Sequence, residues 1–275
     1  MITSTSNQQM KNLSLLMKKA RERKSQGLFV VEGPKMCLEA PFSWVDAIYI
    51  SESFYKDVKE FKRLEDYIAA AQREQATVRY EVVSDSVFKT VSDTQTPQGI
   101  LAVVKMPRYE LFELLKEDKT LLLVLESIQD PGNLGTMIRT GEGAGITGII
   151  MNQTTVDLFN PKTIRSTMGS IYRIPFFIAE DLKETVEEVK REGVSLYAAH
   201  LKGTMSYDEP DYTKACGFLI GNEGNGLSTE IADLASEYIR IPMEGKVESL
   251  NAAIAASLLT YECNRQRRCH LADMV

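Results

Sequence analysis

Apolar residues recur along this chain in two rhythms. In the first hundred residues, short apolar runs are bounded by polar and turn-forming residues: Leu28–Val31, Ala47–Ile50, Val78–Val83 and Gly99–Val104. Such runs predict four strands. Between the second and third, Tyr55–Arg73 carries Val58, Phe61, Leu64, Ile68 and Ala71 at helical spacing, which predicts an amphipathic helix. Ser84 and Asp85 are good caps for a short helix through Phe88. These elements describe a small α/β domain over residues 1–106. Pro107 and the charged amphipathic piece Glu110–Lys116 then mark a linker at 107–119.

From residue 120 to 275 strands and helices alternate more regularly. Strands are predicted at Leu121–Glu126, Gly148–Asn152, Arg173–Phe177, Ser195–Ala199, Gly217–Ile220 and Tyr238–Pro242. Helices are predicted at Gly135–Gly143, Pro161–Met168, Leu182–Glu192, Ser228–Ala235 and Ser249–Arg267. Strands that are apolar throughout and separated by helices imply a parallel sheet covered on both faces.

Composition narrows the class. With 275 residues, 44% hydrophobic and 25% charged, the chain reads as a soluble globular protein of one large or two ordinary domains. Apolar runs such as Leu121–Leu125 are far shorter than the roughly 20 residues of a membrane span. The polar start Met1–Asn7 lacks the apolar core of a secretory signal. Cys37, Cys216, Cys263 and Cys269 are scattered and the histidines are only His200 and His270, so neither a zinc site nor a disulfide framework is expected. A reduced, cytoplasmic setting is the default. The net charge of −6 argues against a nucleic-acid partner, but phosphates respond to local patches. Between Lys11 and Lys35 seven basic residues face two acidic ones. That cluster reads either as a solvated helix face or as a phosphate-contacting arm.

Three stretches in the second half place chemistry beside predicted strand ends, where an open α/β sheet gathers its site. The first is Asn133-Leu-Gly-Thr-Met-Ile-Arg139, behind the turn Asp130-Pro-Gly. The second is Leu219-Ile-Gly-Asn-Glu-Gly224, with glycines at 221, 224 and 226 leaving the backbone bare beside Asn222 and Glu223. The third is Ile241-Pro-Met243 running to Glu248-Ser-Leu-Asn251, where Ser249 is the expected cap of the last helix and Leu250, Ile254, Leu258 and Tyr261 form a stripe suited to core or subunit packing. The string Gly143-Ala-Gly-Ile-Thr-Gly148 matches a dinucleotide fingerprint in letters only. It follows a helix and precedes a strand, the reverse of the required order, so it reads as a helix C-cap and turn. Arg139 alone would read as a surface arginine paired with a carboxylate such as Glu142.

Together the three stretches resemble the motifs of the SpoU/TrmH family of RNA ribose 2′-O-methyltransferases over residues 120–268. Asn160-Pro-Lys-Thr-Ile-Arg-Ser-Thr-Met-Gly169 is similar to that family's second helix, and Phe29-Val-Val-Glu-Gly33 with Lys35 to its ribosomal-protein-like RNA substrate-binding domain. The resemblance implies a parallel-sheet α/β domain with a deep trefoil knot, preceded by a small α/β sandwich, and assembled as a homodimer. It implies S-adenosylmethionine as methyl donor, held by Ala199, His200, Leu201, Gly221, Asn222, Glu223, Gly224, Ile241, Met243 and Leu250. It implies transfer to a ribose 2′-hydroxyl with Arg139 acting on the hydroxyl and adjoining phosphate, and with Asn133, Glu223, Ser249 and Asn251 orienting the reaction. An RNA partner implies phosphate contacts by Lys18, Lys19, Arg21, Arg23, Lys24, Lys35, Arg139 and Arg165. Ribosomal RNA is favoured over transfer RNA. A non-catalytic RNA-binding protein on the same fold is the main rival, and a nicotinamide oxidoreductase is a distant one. No metal and no membrane partner are expected.

Overall fold

The computed structural model describes residues 1–272. It divides into two units. One comprises Met1–Pro107 and Phe159–Tyr172, the other Arg108–Leu158 and the described residues from Arg173 onward.

The first unit is built on strands β1 (Leu28–Glu32), β2 (Val45–Ser51), β3 (Tyr80–Val83) and β4 (Ile100–Lys105), in the order β1-β4-β2-β3. β4 runs antiparallel to both its neighbours, and β2 pairs with β3 in parallel. β1 and β4 are buried along nearly their whole length, which is why their runs are apolar without alternation, whereas Tyr80 and Glu81 of β3 are exposed. Val30, Tyr49, Leu101 and Val103 pack with Met10, Leu13, Leu16 and Phe88 on one side. The helix expected over Tyr55–Arg73 is two, Glu52–Lys56 and Val58–Arg73, divided at Asp57, whose side chain caps the second by accepting from the amides of Lys59 and Glu60. Glu32, buried at the end of β1, accepts from Ser92 Oγ, Thr94 Oγ1 and the Asp93 amide.

Phe159–Tyr172 belongs to this unit although it lies between strands of the other. Phe29 meets Phe159 with ring centroids 4.8 Å apart, and the Tyr172 hydroxyl donates to the Met36 carbonyl at 2.8 Å. The segment's apolar residues do not by themselves reveal which core they enter.

The second unit carries seven strands: β5 (Leu121–Leu125), β6 (Gly148–Asn152), β7 (Phe176–Ala179), β8 (Ser195–Ala199), β9 (Met205–Ser206), β10 (Cys216–Ile220) and β11 (Glu237–Arg240). All pair in parallel, in the order β7-β6-β5-β10-β8-β11-β9. The chain leaves β5 toward β7, returns on the other side at β8, and β10 then fills the place between β5 and β8. Beside that reversal, the carboxyl ends of β8, β10 and β11 gather around one crevice.

Several expected boundaries move. β7 starts at Phe176 rather than Arg173, because Ser170–Tyr172 forms a 3-10 turn and the Arg173 guanidinium turns to the Glu142 carboxylate. The helix expected over Ser228–Ala235 is a single turn, Thr229–Ala232, capped by Ser228 Oγ on the Ile231 amide. β11 ends at Arg240, so Pro242 lies outside the strand. The helix Pro131–Ala144 starts at the turn proline, with Asp130 as its cap, and ends at Gly145 in the left-handed region (φ 84°). The glycine string there is a C-cap, as its order in the chain implies. Among the described residues no helix is long and apolar enough to cross a membrane.

Candidate active site

The crevice has a volume of about 520 Å³, in the range of small-molecule sites. Its walls come from the ends of β8, β10 and β11 and from the segment leading into the last helix, Ala252–Ala272. Ala199, His200, Leu201, Gly221, Asn222, Glu223, Gly224, Ile241, Met243 and Leu250 all line it. So do Ile220, Leu227, Ile239, Arg240, Ala252, Ala255 and Leu259, none of which was assigned to the donor site from the sequence. The alanines of the last helix were the available signal: at 252 and 255 they bring its backbone up to the crevice.

Gly221 is also fixed by its own loop. A Cβ there would lie 2.1 Å from Gly226 C and Leu227 N, so glycine is required by the returning loop. Asn222 and Gly226 exchange backbone hydrogen bonds to close that loop. The Asn222 side chain accepts from the Gly224 and Asn225 amides and donates to the Ser127 carbonyl at 2.8 Å.

The loop holds Glu223 at the rim, where its carboxylate accepts three hydrogen bonds. The Gln129 amide reaches Oε2 at 3.0 Å, and the Asp130 amide (3.0 Å) and Asn133 Nδ2 (2.9 Å) reach Oε1. Partial burial raises the Glu223 pKa, but hydrogen bonds from Asn133 and the two amides outweigh it and hold the group below its ordinary 4.5. Glu223 is therefore an anion throughout the neutral range. Asn133 Oδ1 in turn accepts from Asn251 Nδ2 at 2.9 Å. Asn251, not Ser249, caps the last helix: its Oδ1 takes the Ala253 amide at 2.9 Å and the Ile254 amide at 3.3 Å. Ser249 instead lies exposed on the crevice wall. One hydrogen-bonded line, Glu223–Asn133–Asn251, thus joins residues drawn from all three motifs.

Arg139 stands apart from that line. It is exposed and, among the described residues, has no hydrogen-bond or ion-pair partner. The expected partner Glu142 is engaged by Arg173. Six residues after Asn133 on a helix, Arg139 is turned roughly 120° away from it at 3.6 residues per turn.

The basic residues of the first unit fall into two groups. Lys18, Lys19, Arg21, Lys24 and Lys35 are exposed. Arg23 is not: it is buried, and its guanidinium donates to the Leu16 carbonyl at 2.6 Å and the Met17 carbonyl at 3.1 Å. Those are terminal carbonyls of the helix Gln8–Lys18, which favour a cation at that end. Arg23 is therefore a structural cap, and the expectation that it contacts RNA is corrected. Arg165 is half-buried and paired with Asp93 at 2.6 Å.

The crevice pairs apolar walls with a fixed anion. Ile220, Leu227, Ile239 and Leu259 supply apolar walls, and Glu223 supplies an anion for a cationic group. Residues 120–261 match the SpoU rRNA Methylase family, and residues 7–102 match the MRM3-like substrate binding domain. The chain is 33% identical over 262 residues to the 23S rRNA (guanosine(2553)-2′-O)-methyltransferase RlmP of Bacillus subtilis, covering 94% of this chain and 97% of that protein. Among solved structures it is similar to an rRNA methyltransferase from Sinorhizobium meliloti (TM-score 0.83, 30% identity, 96% of each chain). It is also similar to the SpoU methyltransferase AviRb from Streptomyces viridochromogenes in complex with AdoMet (TM-score 0.83, 25% identity, 95% of this chain and 98% of that one). The crevice, the parallel sheet and these likenesses agree: the chain belongs to the SpoU rRNA methylase family and is an RNA methyltransferase that uses S-adenosylmethionine.

Proposed function

We propose that this protein methylates a ribose 2′-hydroxyl in ribosomal RNA, as a cytoplasmic homodimer whose catalytic unit is threaded into a trefoil knot. The observation that carries the reading is the Glu223–Asn133–Asn251 line at the rim of the crevice, since transfer requires a fixed polar frame beside the donor. When bound, S-adenosylmethionine supplies an electrophilic methyl group on a sulfonium. The crevice residues already named hold it, and the fixed Glu223 anion favours its positive charge. The nucleophile must be aligned and lose its proton. Arg139, exposed and unpaired among the described residues, is available to bind the adjoining phosphate and stabilise the nascent alkoxide. Guanidinium stays protonated at neutral pH, so this role needs no neutral arginine. Asn133, Glu223, Ser249 and Asn251 orient the reaction.

Exposed Lys18, Lys19, Arg21, Lys24 and Lys35 are the RNA phosphate contacts of the first unit, and Arg165 contributes beside Asp93. The domain partition follows the two matched families, with Phe159–Tyr172 packing into the first unit. For the dimer, Ile254, Leu258 and Tyr261 form a stripe on the last helix that is 50%, 38% and 49% exposed, so the stripe is not core. For the knot, the support is family membership and the placement of β10 between β5 and β8.

The test is transfer of labelled methyl from S-adenosylmethionine to unmodified 23S, 16S and transfer RNA transcripts, followed by alkaline hydrolysis. Label at a phosphodiester that resists cleavage, on a ribosomal transcript alone, is expected. Label on transfer RNA alone would overturn the target, label on a base would overturn the reaction, and RNA binding without transfer would favour the binding-only reading.

A further inference from the structure

Ser127 is a non-glycine residue in the left-handed region, with φ 57°. It follows Glu126, the first residue past β5, and it starts the turn that carries the Gln129 and Asp130 amides to Glu223. Such a conformation persists where its surroundings over-determine it, and here every polar group of Ser127 is held. Its amide donates to Asn152 Oδ1 at 2.9 Å. Its hydroxyl accepts from Asn152 Nδ2 at 3.1 Å and shares a hydrogen bond with Thr154 Oγ1 at 2.7 Å. Its carbonyl accepts from Asn222 Nδ2 at 2.8 Å and from Gln129 Nε2 at 3.0 Å. Asn152 is the last residue of β6, and its Oδ1 also accepts from Thr155 Oγ1 at 2.9 Å.

We propose that Asn152 is a positioning residue for methyl transfer: by holding Ser127 left-handed, it aims the Gln129 and Asp130 amides at Glu223. Asn152 is absent from the crevice lining and acts two links from the reaction, through Ser127 and then Glu223. Its amide does what few side chains can, accepting from the Ser127 N–H while donating to the hydroxyl of the same residue. The Asn222 and Gln129 bonds reach only the Ser127 carbonyl and the Thr154 bond only its hydroxyl, so loss of Asn152 leaves the Ser127 amide without its acceptor. The turn then relaxes, the two amides withdraw from the carboxylate, and Asn133 is left as the remaining donor to Glu223.

The inference rests on the proposed role of Glu223, so the test separates the two. In the full-length chain, the Glu223 carboxyl is titrated by carbon NMR, its signal identified by its loss in Glu223→Gln. Methyl transfer to an unmodified 23S ribosomal RNA transcript and calorimetry with S-adenosylmethionine are run in parallel. In Asn152→Ala the Glu223 titration should move up toward its ordinary range. Turnover should fall roughly tenfold to a hundredfold, as for other positioning residues, with donor affinity retained. Asn152→Asp keeps the acceptor for the Ser127 amide, and the Ser127 hydroxyl can turn its proton to the new oxygen, so both properties should recover. An unmoved Glu223 titration in Asn152→Ala, or equal impairment in the alanine and aspartate variants, would overturn the proposal. Full turnover in Glu223→Gln would instead overturn the role of Glu223, while the titration still reports whether Asn152 aims the turn.

Discussion

Asn133 donates its side-chain amide to the Glu223 carboxylate at 2.9 Å, across ninety residues of sequence. The same side chain accepts from Asn251 with its carbonyl oxygen, so its orientation is set from both ends. Turning the amide over would place its oxygen against an anion and its donor against a donor.

That constraint makes Asn251→Asp informative. Aspartate caps helices as well as asparagine does, so the last helix keeps its cap and thermal stability should stay near the wild type. The donor to Asn133 is lost, and an aspartate oxygen would face the Asn133 carbonyl. Turnover should fall roughly tenfold to a hundredfold, with donor affinity changed little. Wild-type turnover would show that the line is not needed for transfer.

Glu223 also makes a statement about pH. Its folded pKa lies below the ordinary 4.5, so the contribution of its hydrogen bonds is complete above that value and is lost as pH falls through the lower folded value. Between pH 6 and about 8 this group should give no slope in turnover or stability. A profile falling with a midpoint near 6 in the wild type, abolished in Glu223→Gln, would contradict the bonding pattern.

Reversing Lys18, Lys19 and Arg21 to glutamate should weaken RNA binding and flatten its salt dependence, since each phosphate contact contributes about one unit of log–log slope. Arg23→Ala should act otherwise. It leaves the Leu16 and Met17 carbonyls without their guanidinium partner and should cost roughly 1–3 kcal/mol of stability, while RNA affinity of the folded protein stays unchanged. Equal loss of RNA affinity in both variants, measured by filter binding, would reject the division between them.

Arg139→Lys retains a positive charge but not the planar fork that grips a phosphate in two places. Turnover should drop by an order of magnitude or more, roughly the loss expected for one electrostatic donor in a site, with S-adenosylmethionine affinity unchanged. Turnover near the wild type would remove Arg139 from the chemistry.

Leu258→Glu introduces a charge into the half-exposed stripe of the last helix. Sedimentation should then report monomers where the wild type reports dimers, because a buried unpaired charge at an interface is strongly destabilising. Sedimentation of the wild type as a monomer, or a dimer undisturbed by the variant, would locate the proposed interface elsewhere or dismiss it.

Local order is what the sequence by itself determined. The apolar runs of β5, β6, β8 and β10 and the helical spacing of Val58–Arg73 are set by neighbours a few residues apart, and they are legible in the chain. The motifs could likewise be placed at strand ends, because a strand's end is marked by its own turn residues. Tertiary structure decided everything that depends on meeting a distant partner. Asn251 rather than Ser249 caps the last helix, because its amide is also drawn to Asn133. Arg23, indistinguishable in sequence from Arg21, is buried because it falls beside the open end of the preceding helix. Gly221 is glycine for the sake of a returning loop, and Phe159–Tyr172 joins a core its sequence neighbours do not share. Side-chain spacing encodes which face is buried, but only the folded backbone decides which polar group finds a donor and which is left for a ligand.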